Sequence, residues 1–415
     1  MILYLVPIVY IFLTFKSKPI SFYLYLLYAL TLFSGLLVDF DIKIEDENDV
    51  FNSIFCALSF FVIYHSFSNY NKVRAVQCAV FNKKDKMVIE IVKYIGIISF
   101  VINIYVAIRL FSVFFSGAIL IDEFKNGDGG AEGDIVSSFI NPGLLTLTRI
   151  FSPFAYICMG LHFYYLTQSD KKKTILFFLG ALNILLVSLT SLSRSSFMIF
   201  AIMYLFSLIF IYPVFNERTK KKVKLSVFIF GGAIVSIFMS LTLNRFENYT
   251  TTDSKNIIKD PVANSIVVYA SQAHEISLLV LEKYKDSEHI SPPQSLALFN
   301  YVSERFLGNP RETKSTDDRE KKFGIYAAAF TNSPCQLVFD WGYMGTIMIL
   351  CLFYLFVIKK APKKGIIIFH NFLWFCPLIT FAAMSILTNM LAYTMFHLGV
   401  LYILVFNTIV HPRYR

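Results

Sequence analysis

An all-α polytopic membrane protein, with about eleven transmembrane helices and short helices in one long outer loop, is the fold class this sequence predicts. Three observations predict it. Of 415 residues, 56% are hydrophobic and 16% charged, against about 25% charged in a soluble domain. Apolar runs near or above the roughly 18 to 20 residues that cross hydrocarbon recur along the chain. The loops between them alternate: every second one is lysine-rich, and the others are acidic, neutral or long, as the positive-inside rule demands.

Met1 to Phe15 is a first short span, read as retained because it lacks a basic leader and a small-residue cleavage site. It ends at Lys16 and Lys18, and the second span, Ile20 to Val38, ends in acids from Asp39 to Asp49. The third, Val50 to Phe67, meets a basic loop from Lys72 to Lys86. The fourth, Val88 to Phe115, is long enough to tilt or to bend at Gly96, and meets an acidic, Gly-rich loop. The fifth, Pro142 to Leu166, ends at Lys171, Lys172 and Lys173; the sixth, Thr174 to Thr190, ends in the tight turn SLTSLSRSS. Ser195 to Tyr212 returns to a basic cluster from Arg218 to Lys224, and Leu225 to Leu243 opens into the long loop. The ninth span, Pro334 to Ile358, ends at four lysines; Ile366 to Ala383 and Leu387 to Val410 close the chain.

This divides the chain into an N-terminal bundle of about eight helices (1–243), an extracytoplasmic loop (244–333) and about three C-terminal helices (334–415). It sets the N-terminus outside and the C-terminus in the cytoplasm. No internal repeat is visible, so the inverted-repeat signature of many transporters is missing.

The outer loop has a pattern of its own. Asp260-Pro261 reads as a cap and first-turn proline, and apolar residues carry a helix on to about Tyr284. A second helix starts at Ser291-Pro292-Pro293 and carries Leu296, Phe299, Val302 and Phe306. Both are expected to lie across the membrane surface and roof a cavity. The charged stretch Gly308 to Lys322 has no apolar period and could serve as a lid.

Candidate residues cluster around that loop. Arg194, in SLSRSSF, could bind an anionic headgroup or anchor a helix end as a snorkelling cation. Arg245 has the same geometry, with Glu247 as an ordinary partner; Arg149, near the outer third of the fifth helix, and Arg109 are costly to hold within spans. His274 could activate a hydroxyl or be a polar face residue, and the adjacent Glu275 points about 100° away from it. Tyr301 and Arg305, four apart, share a helix face, and Arg311 follows in the loop. Asp340 lies two turns into the ninth helix, capped by Asn332 or Ser333, and is open to two readings, a buried ion pair with an arginine or direct catalysis. Gly342 and Gly345 would let a neighbouring helix approach closely.

The net charge of +10 lies in short loops rather than along one face, which argues for orientation and against nucleic acid. The six cysteines are scattered and show neither metal-ligand spacing nor a disulfide framework. NGDGGAEGD, from Asn126 to Asp134, lacks the closing glutamate of a calcium loop. Neither a metal nor any other cofactor is expected.

The SLSRSS turn, the arginine-bearing outer loop and TNSPCQLVFDWGYMG together resemble the Wzy-type O-antigen and capsule polymerases, which polymerise oligosaccharide repeat units. Thr331, Asn332, Phe339, Asp340, Gly342 and Gly345 carry the match in the last segment, and Arg194 matches the family's arginine turn. None of the outer-loop arginines has the family's arginine-to-glycine spacing, so roles for Arg245, Arg305 and Arg311 rest on charge alone.

The resemblance implies a GT-C-like glycosyltransferase in the bacterial cytoplasmic membrane. Its partners would be undecaprenyl-diphosphate-linked oligosaccharides and membrane lipids, with a chain-length regulator and a flippase as further candidates. His274, Glu275 and Asp340 would be the catalytic candidates. Arg149, Arg194, Arg245, Tyr301, Arg305, Arg311 and Asn332 would bind diphosphate or sugar. An O-antigen ligase, or a flippase that only binds such lipids, are the alternatives.

Overall fold

The computed structural model describes residues 2–37, 47–71, 73–115, 140–190, 194–225, 261–282, 293–307 and 331–414, with positions 231, 232 and 236. The described chain is mostly helical. It divides into two compact units, each assembled from separated stretches: Met1–Lys72, Asn216–Pro362 and Thr380–Thr394 in the first, Val73–Phe215, Lys363–Ile379 and Met395–Arg415 in the second.

The first unit contains α1 (Ile2–Thr14), α2 (Ile20–Gly35) and α3 (Glu47–His65). The second contains α4 (Lys83–Phe115), α5 (Pro142–Phe151), α6 (Ala155–Thr167), α7 (Lys171–Ala181), α8 (Asn183–Thr190) and α9 (Arg194–Ile211). The chain then returns to the first unit with α10 (Pro261–Glu282), α11 (Ala297–Leu307) and α12 (Ser333–Lys360). Helix α13 (Phe369–Met384) passes from the second unit to the first at Thr380, and α14 (Thr394–Ile409) belongs to the second.

Four described helical stretches have the length and composition to cross a membrane: Lys83–Leu110, Pro142–Thr167, Ser196–Val214 and Ser333–Lys360. Shorter apolar helices accompany them at the expected first, second, third and last two spans. The expected eighth span and the lid stretch lie largely or wholly outside the described residues.

The face pattern of α4 is that of a helix in lipid. Met87, Ile91, Tyr94, Ile98, Val101, Tyr105 and Ile108 form an exposed apolar stripe at three- and four-residue spacing. The opposite, buried face carries Gly96, Ser99 and Asn103. A helix in water would place these the other way round.

The inward polar groups knit the second unit. Asn103 Nδ2 donates to Asn183 Oδ1 at 2.8 Å and reaches Ser152 Oγ at 3.0 Å. Asn183 Nδ2 in turn donates to the Gly96 and Gly180 carbonyls at 3.0 and 2.8 Å. Ser152 opens a 3-10 turn, Ser152–Phe154, between α5 and α6, and Asn183 follows the break between α7 and α8. The expected fifth and sixth spans are therefore interrupted helices, with the freed polar groups bonded to α4. Gly96 does not bend α4, which runs through it as one helix. A Cβ there would stand 2.9 Å from Cys158 Sγ and 3.2 Å from Gly180 Cα, so its role is close approach.

In the first unit, Phe55, Cys56, Val280, Leu281, Cys335, Val338 and Phe339 form a core shared by α3, α10 and α12. Helix α10 is thus packed against membrane helices, where the sequence pattern puts it on the membrane surface. Its face of Ala273, His274, Ser277, Val280 and Leu281 is buried. Helix α11 does keep an outward apolar face, with Leu296, Phe299 and Val302 exposed and Ala297 and Asn300 buried. That polarity suits lipid and not water.

Helix α12 is kinked at Gly342, which has φ 66° and ψ 177°. The expected use of Gly342 and Gly345 for helix approach is corrected here. Gly342 takes a backbone conformation that a side chain strains, and a Cβ on Gly345 would lie 2.7 Å from Trp341 Cβ of the preceding turn. The kink separates a buried stretch, Ser333 to Asp340, from a portion that exposes Met344, Ile347, Met348, Leu352 and Leu355. Gly342→Ala is expected to cost about 1–3 kcal/mol, read as a lower Tm of the purified protein; an unchanged Tm would contradict a required positive φ.

Candidate functional site

The start of α12 is the structural hub of the first unit. Asn332 is its N-cap, with the side-chain oxygen accepting from Cys335 N at 3.0 Å, and Pro334 occupies the first turn. Backbone and side chains of this turn then reach three other segments. Asn332 N donates to Ser277 Oγ on α10 at 2.8 Å. Ser333 N donates to the Ser385 carbonyl at 2.8 Å, and Ser333 Oγ to the Thr388 carbonyl at 2.9 Å.

The third tie is Asp340. Pro292 and Pro293 have no N–H, so the first donors of the helical stretch they introduce are Gln294 and Ser295. Asp340 Oδ1 accepts from Gln294 N at 3.0 Å, and Oδ2 from Ser295 N at 2.7 Å. Trp341 Nε1 adds a bond to Ser295 Oγ at 2.6 Å. Asp340 is thus an N-terminal cap supplied from a distant helix, a role that neither reading from sequence includes. A carboxylate at this end also complements the helix dipole.

A closed circuit of contacts surrounds His274. One turn on along α10 is Ser277, bonded to Asn332 N. Its ring meets Tyr28 edge-on at 6.2 Å, Tyr28 meets Tyr64 at 5.8 Å, and the Tyr64 hydroxyl faces Ser385, which returns to Ser333. His274 is 4% exposed, and among the described residues neither ring nitrogen has a hydrogen-bond partner. On the segments this circuit joins, Thr331 Oγ1, Asn332 Nδ2 and Asn389 Nδ2 are likewise buried with no partner among the described residues. Asn332 and Asn389 each spend their oxygen on a cap, the latter on Leu391 N at 3.1 Å, and flank the Ser333–Thr388 bond.

Buried polar atoms are nearly always satisfied, so a group of orphans marks a place that water or a ligand completes. This group is neutral. Helix α10 is not among the helices with the length and composition to span, and burial lowers the His274 pKa to about 4. At pH 7 one ring nitrogen can therefore accept a proton or hydrogen bond while the other donates. Together with two amide NH2 groups and a hydroxyl on the segments tied to α10, the imidazole makes a set that fits a hydroxylated neutral ligand. The first unit also holds an apolar groove of about 430 Å³ between α1 and α3, lined by Leu5, Val9, Leu13, Ile54, Leu58 and Phe61. Among the described residues, no group of three His, Cys, Asp or Glu has metal-binding geometry.

Of the sequence-derived candidates, His274, Asn332 and Asp340 fall together in the first unit. Tyr301 is exposed on α11, and Arg305 lies on the same helix with its side chain outside what is described. Glu275 is on α10 and Arg194 opens α9; their side chains also fall outside the described residues, as do Arg245 and Arg311 entirely. Arg149 is exposed near the end of α5, in the second unit. From sequence, Thr331 is singled out only as part of the family-like segment, and Ser277 and Asn389 are not singled out. The signal for Asn389 is a Thr-Asn pair in an otherwise apolar stretch.

Two predictions separate these roles. Asp340→Ala strands two buried N–H groups and should destabilise the protein by about 3 kcal/mol or more. Asp340→Asn keeps an acceptor and should cost clearly less. Equal loss of stability in both variants, by thermal unfolding, would overturn the capping role. For His274, the unfolded chain gains a proton near the ordinary value of 6.5 while the folded chain stays neutral down to about 4. Stability is therefore present above pH 6.5 and falls as pH drops toward 4. His274→Phe should show a smaller Tm loss between pH 7.5 and 4.5 than the wild type; an identical loss would show that His274 is not held neutral.

Compared with known proteins, the chain matches no protein-family model, no curated protein and no solved structure.

Proposed function

We propose that this protein is a glycosyltransferase of the bacterial cytoplasmic membrane that polymerises lipid-diphosphate-linked oligosaccharide repeat units. It would have about eleven spans and a substrate site on the outer face. The observation that carries the reading is the orphaned neutral group around His274, built on the same Thr331–Gly345 segment that resembles the polymerases. An acceptor sugar is a neutral polyol, and this group offers amide donors, a hydroxyl and an unprotonated imidazole.

In the reaction, the acceptor O–H bond breaks and its oxygen attacks the anomeric carbon of the growing glycan. The bond from that carbon to the lipid diphosphate breaks, and the diphosphate leaves with both bonding electrons. His274 is the group suited to take the acceptor proton. The leaving diphosphate needs charge that does not titrate, for which Arg194, Arg245, Arg305, Arg311 and Arg149 are the candidates. Asp340 enters as a positioning residue, because both of its oxygens hold the start of the 294–307 stretch. The apolar groove on α1 and α3 suits a hydrocarbon tail of the lipid substrate.

Purified protein supplied with a lipid-linked repeat unit should build longer lipid-linked glycan. Arg194→Ala should lower that rate about a hundredfold, corresponding to roughly 3 kcal/mol of lost transition-state stabilisation. Wild type that leaves the repeat units unextended would sink the reading, and full activity in the variant would remove Arg194 from it.

A further inference from the structure

The second unit has a built basic platform at one end. The strap Val73 to Val80 contains two short strands, β1 (Ala75–Val76) and β2 (Ala79–Val80). Strand β1 pairs in parallel with β3 (Ile366–Ile367), and β2 pairs antiparallel with β4 (Arg413–Tyr414). Arg74 N and Gln77 N extend the first pairing with bonds to the Gly365 and Ile367 carbonyls at 2.7 and 2.9 Å. Ala79 N donates to Tyr164 Oη at 3.1 Å, which ties in the end of α6. Asp85 Oδ1 accepts from His411 N at 3.1 Å.

One short strap thus gathers the ends of five apolar helices. Helices α4, α7 and α13 begin beside it at Lys83, Lys171 and Phe369, while α6 and α14 end beside it at Thr167 and Ile409. Where so many apolar helices start or stop together, the hydrocarbon also stops.

The gathered stretches 73–86, 164–173, 363–367 and 411–414 contain ten Lys or Arg and two acids, Asp85 and Asp170. Both acids are engaged: Asp85 is 1% exposed and bonded, and Asp170 caps α7 and pairs with Lys173. Arg74, Lys83, Lys84, Lys86, Lys363 and Lys364 are exposed. Among the described residues they have no carboxylate within ion-pair distance. Helix stability does not account for the lysines that open α4, since cations at a helix start oppose the dipole.

We propose that this platform is a docking surface for anionic phospholipid headgroups. The cations stand at the level where the helices leave hydrocarbon, which is the level of headgroup phosphates, and juxtamembrane clusters of this size attract an anionic leaflet. A phosphate there neutralises several cations at once and offsets the dipole penalty. The inference is independent of the proposed reaction.

The test uses the full chain in detergent, with phosphatidylglycerol or phosphatidylcholine added and retained lipid measured by native mass spectrometry. Phosphatidylglycerol should be retained at least tenfold more than phosphatidylcholine. Lys83→Gln, Lys84→Gln, Lys363→Gln and Lys364→Gln combined should abolish the difference; if that variant does not fold, Lys84→Gln with Lys364→Gln should reduce it severalfold. Equal retention of the two lipids, or an unchanged preference in the folded variant, would overturn the proposal. Full displacement by millimolar inorganic phosphate would assign a free-anion site instead. Loss of a co-purifying acidic protein with lipid preference intact would assign a protein partner, and either result refutes the lipid surface.

Discussion

The Asp340 carboxylate is the constraint on which the first unit depends. A helical stretch introduced by two prolines begins with backbone donors that nothing local can satisfy, and burying them unpaired costs about 1–3 kcal/mol each. A carboxylate two turns into α12 accepts both. The 294–307 stretch is therefore tied to α12, and α12 in turn is tied by its own first turn to α10 and to the segment from Ser385 to Thr388. Removing both acceptors would release a segment whose outward face is apolar and whose inward face is small and polar, leaving no strong hydrophobic force to return it.

Polarity is inverted in both units, and the inversion explains where chemistry can sit. The exposed stripe of α4 from Met87 to Ile108 is apolar, so a serine or asparagine on its other face must find a partner inside or remain a costly orphan. In the second unit Asn183 spends its amide on the Gly96 and Gly180 carbonyls, and the Asn103 nitrogen is bonded across to it. In the first unit His274, Thr331, Asn332 and Asn389 remain incomplete within a few residues of one another's contacts. Asn103 Oδ1 is also left over among the described residues, but the amide donors of the second unit's knot are bonded, whereas the first unit's set keeps amide donors and an imidazole without a partner. Because that set is uncharged, it suits hydroxyls and not phosphate, so in the proposed reaction the diphosphate would fall to the arginines.

Much of this was legible in the sequence. The helix from Pro261, the break at Pro293, the Asn332 cap and the four helices long and apolar enough to cross a membrane follow from proline placement, capping chemistry and apolar run length, all local quantities. What was not legible depends on contacts between distant stretches. The capping role of Asp340 is not legible because the partners that define it are backbone N–H groups, which leave no mark in a sequence. Helix α10 reads as a surface helix because its buried face is half polar, and only the Asn332 N–H at the start of α12, which meets the Ser277 hydroxyl, and the tyrosines of α2 and α3 make that face an interior one. The interruption at Leu182 between α7 and α8 escapes a hydropathy reading, since the residues on both sides are apolar.

The spacing of the segment that carries the family resemblance has a mechanical explanation. Asp340 must point at the 294–295 turn, and Trp341 must reach Ser295 from the next position, which brings two adjacent side chains of one helix to the same target. A regular helix fans adjacent residues about 100° apart. The two side chains reach different atoms of the target, the N–H groups and the Ser295 hydroxyl, and the helix breaks immediately after them at Gly342, which has a positive φ. The indole is then folded over the following turn, where only a residue without Cβ leaves room, and that residue is Gly345. Aspartate, glycine two positions on and glycine three beyond that are one device for anchoring the 294–307 stretch to α12. The pattern therefore specifies the frame of the site, and the chemistry must be sought in the side chains that the frame leaves unsatisfied.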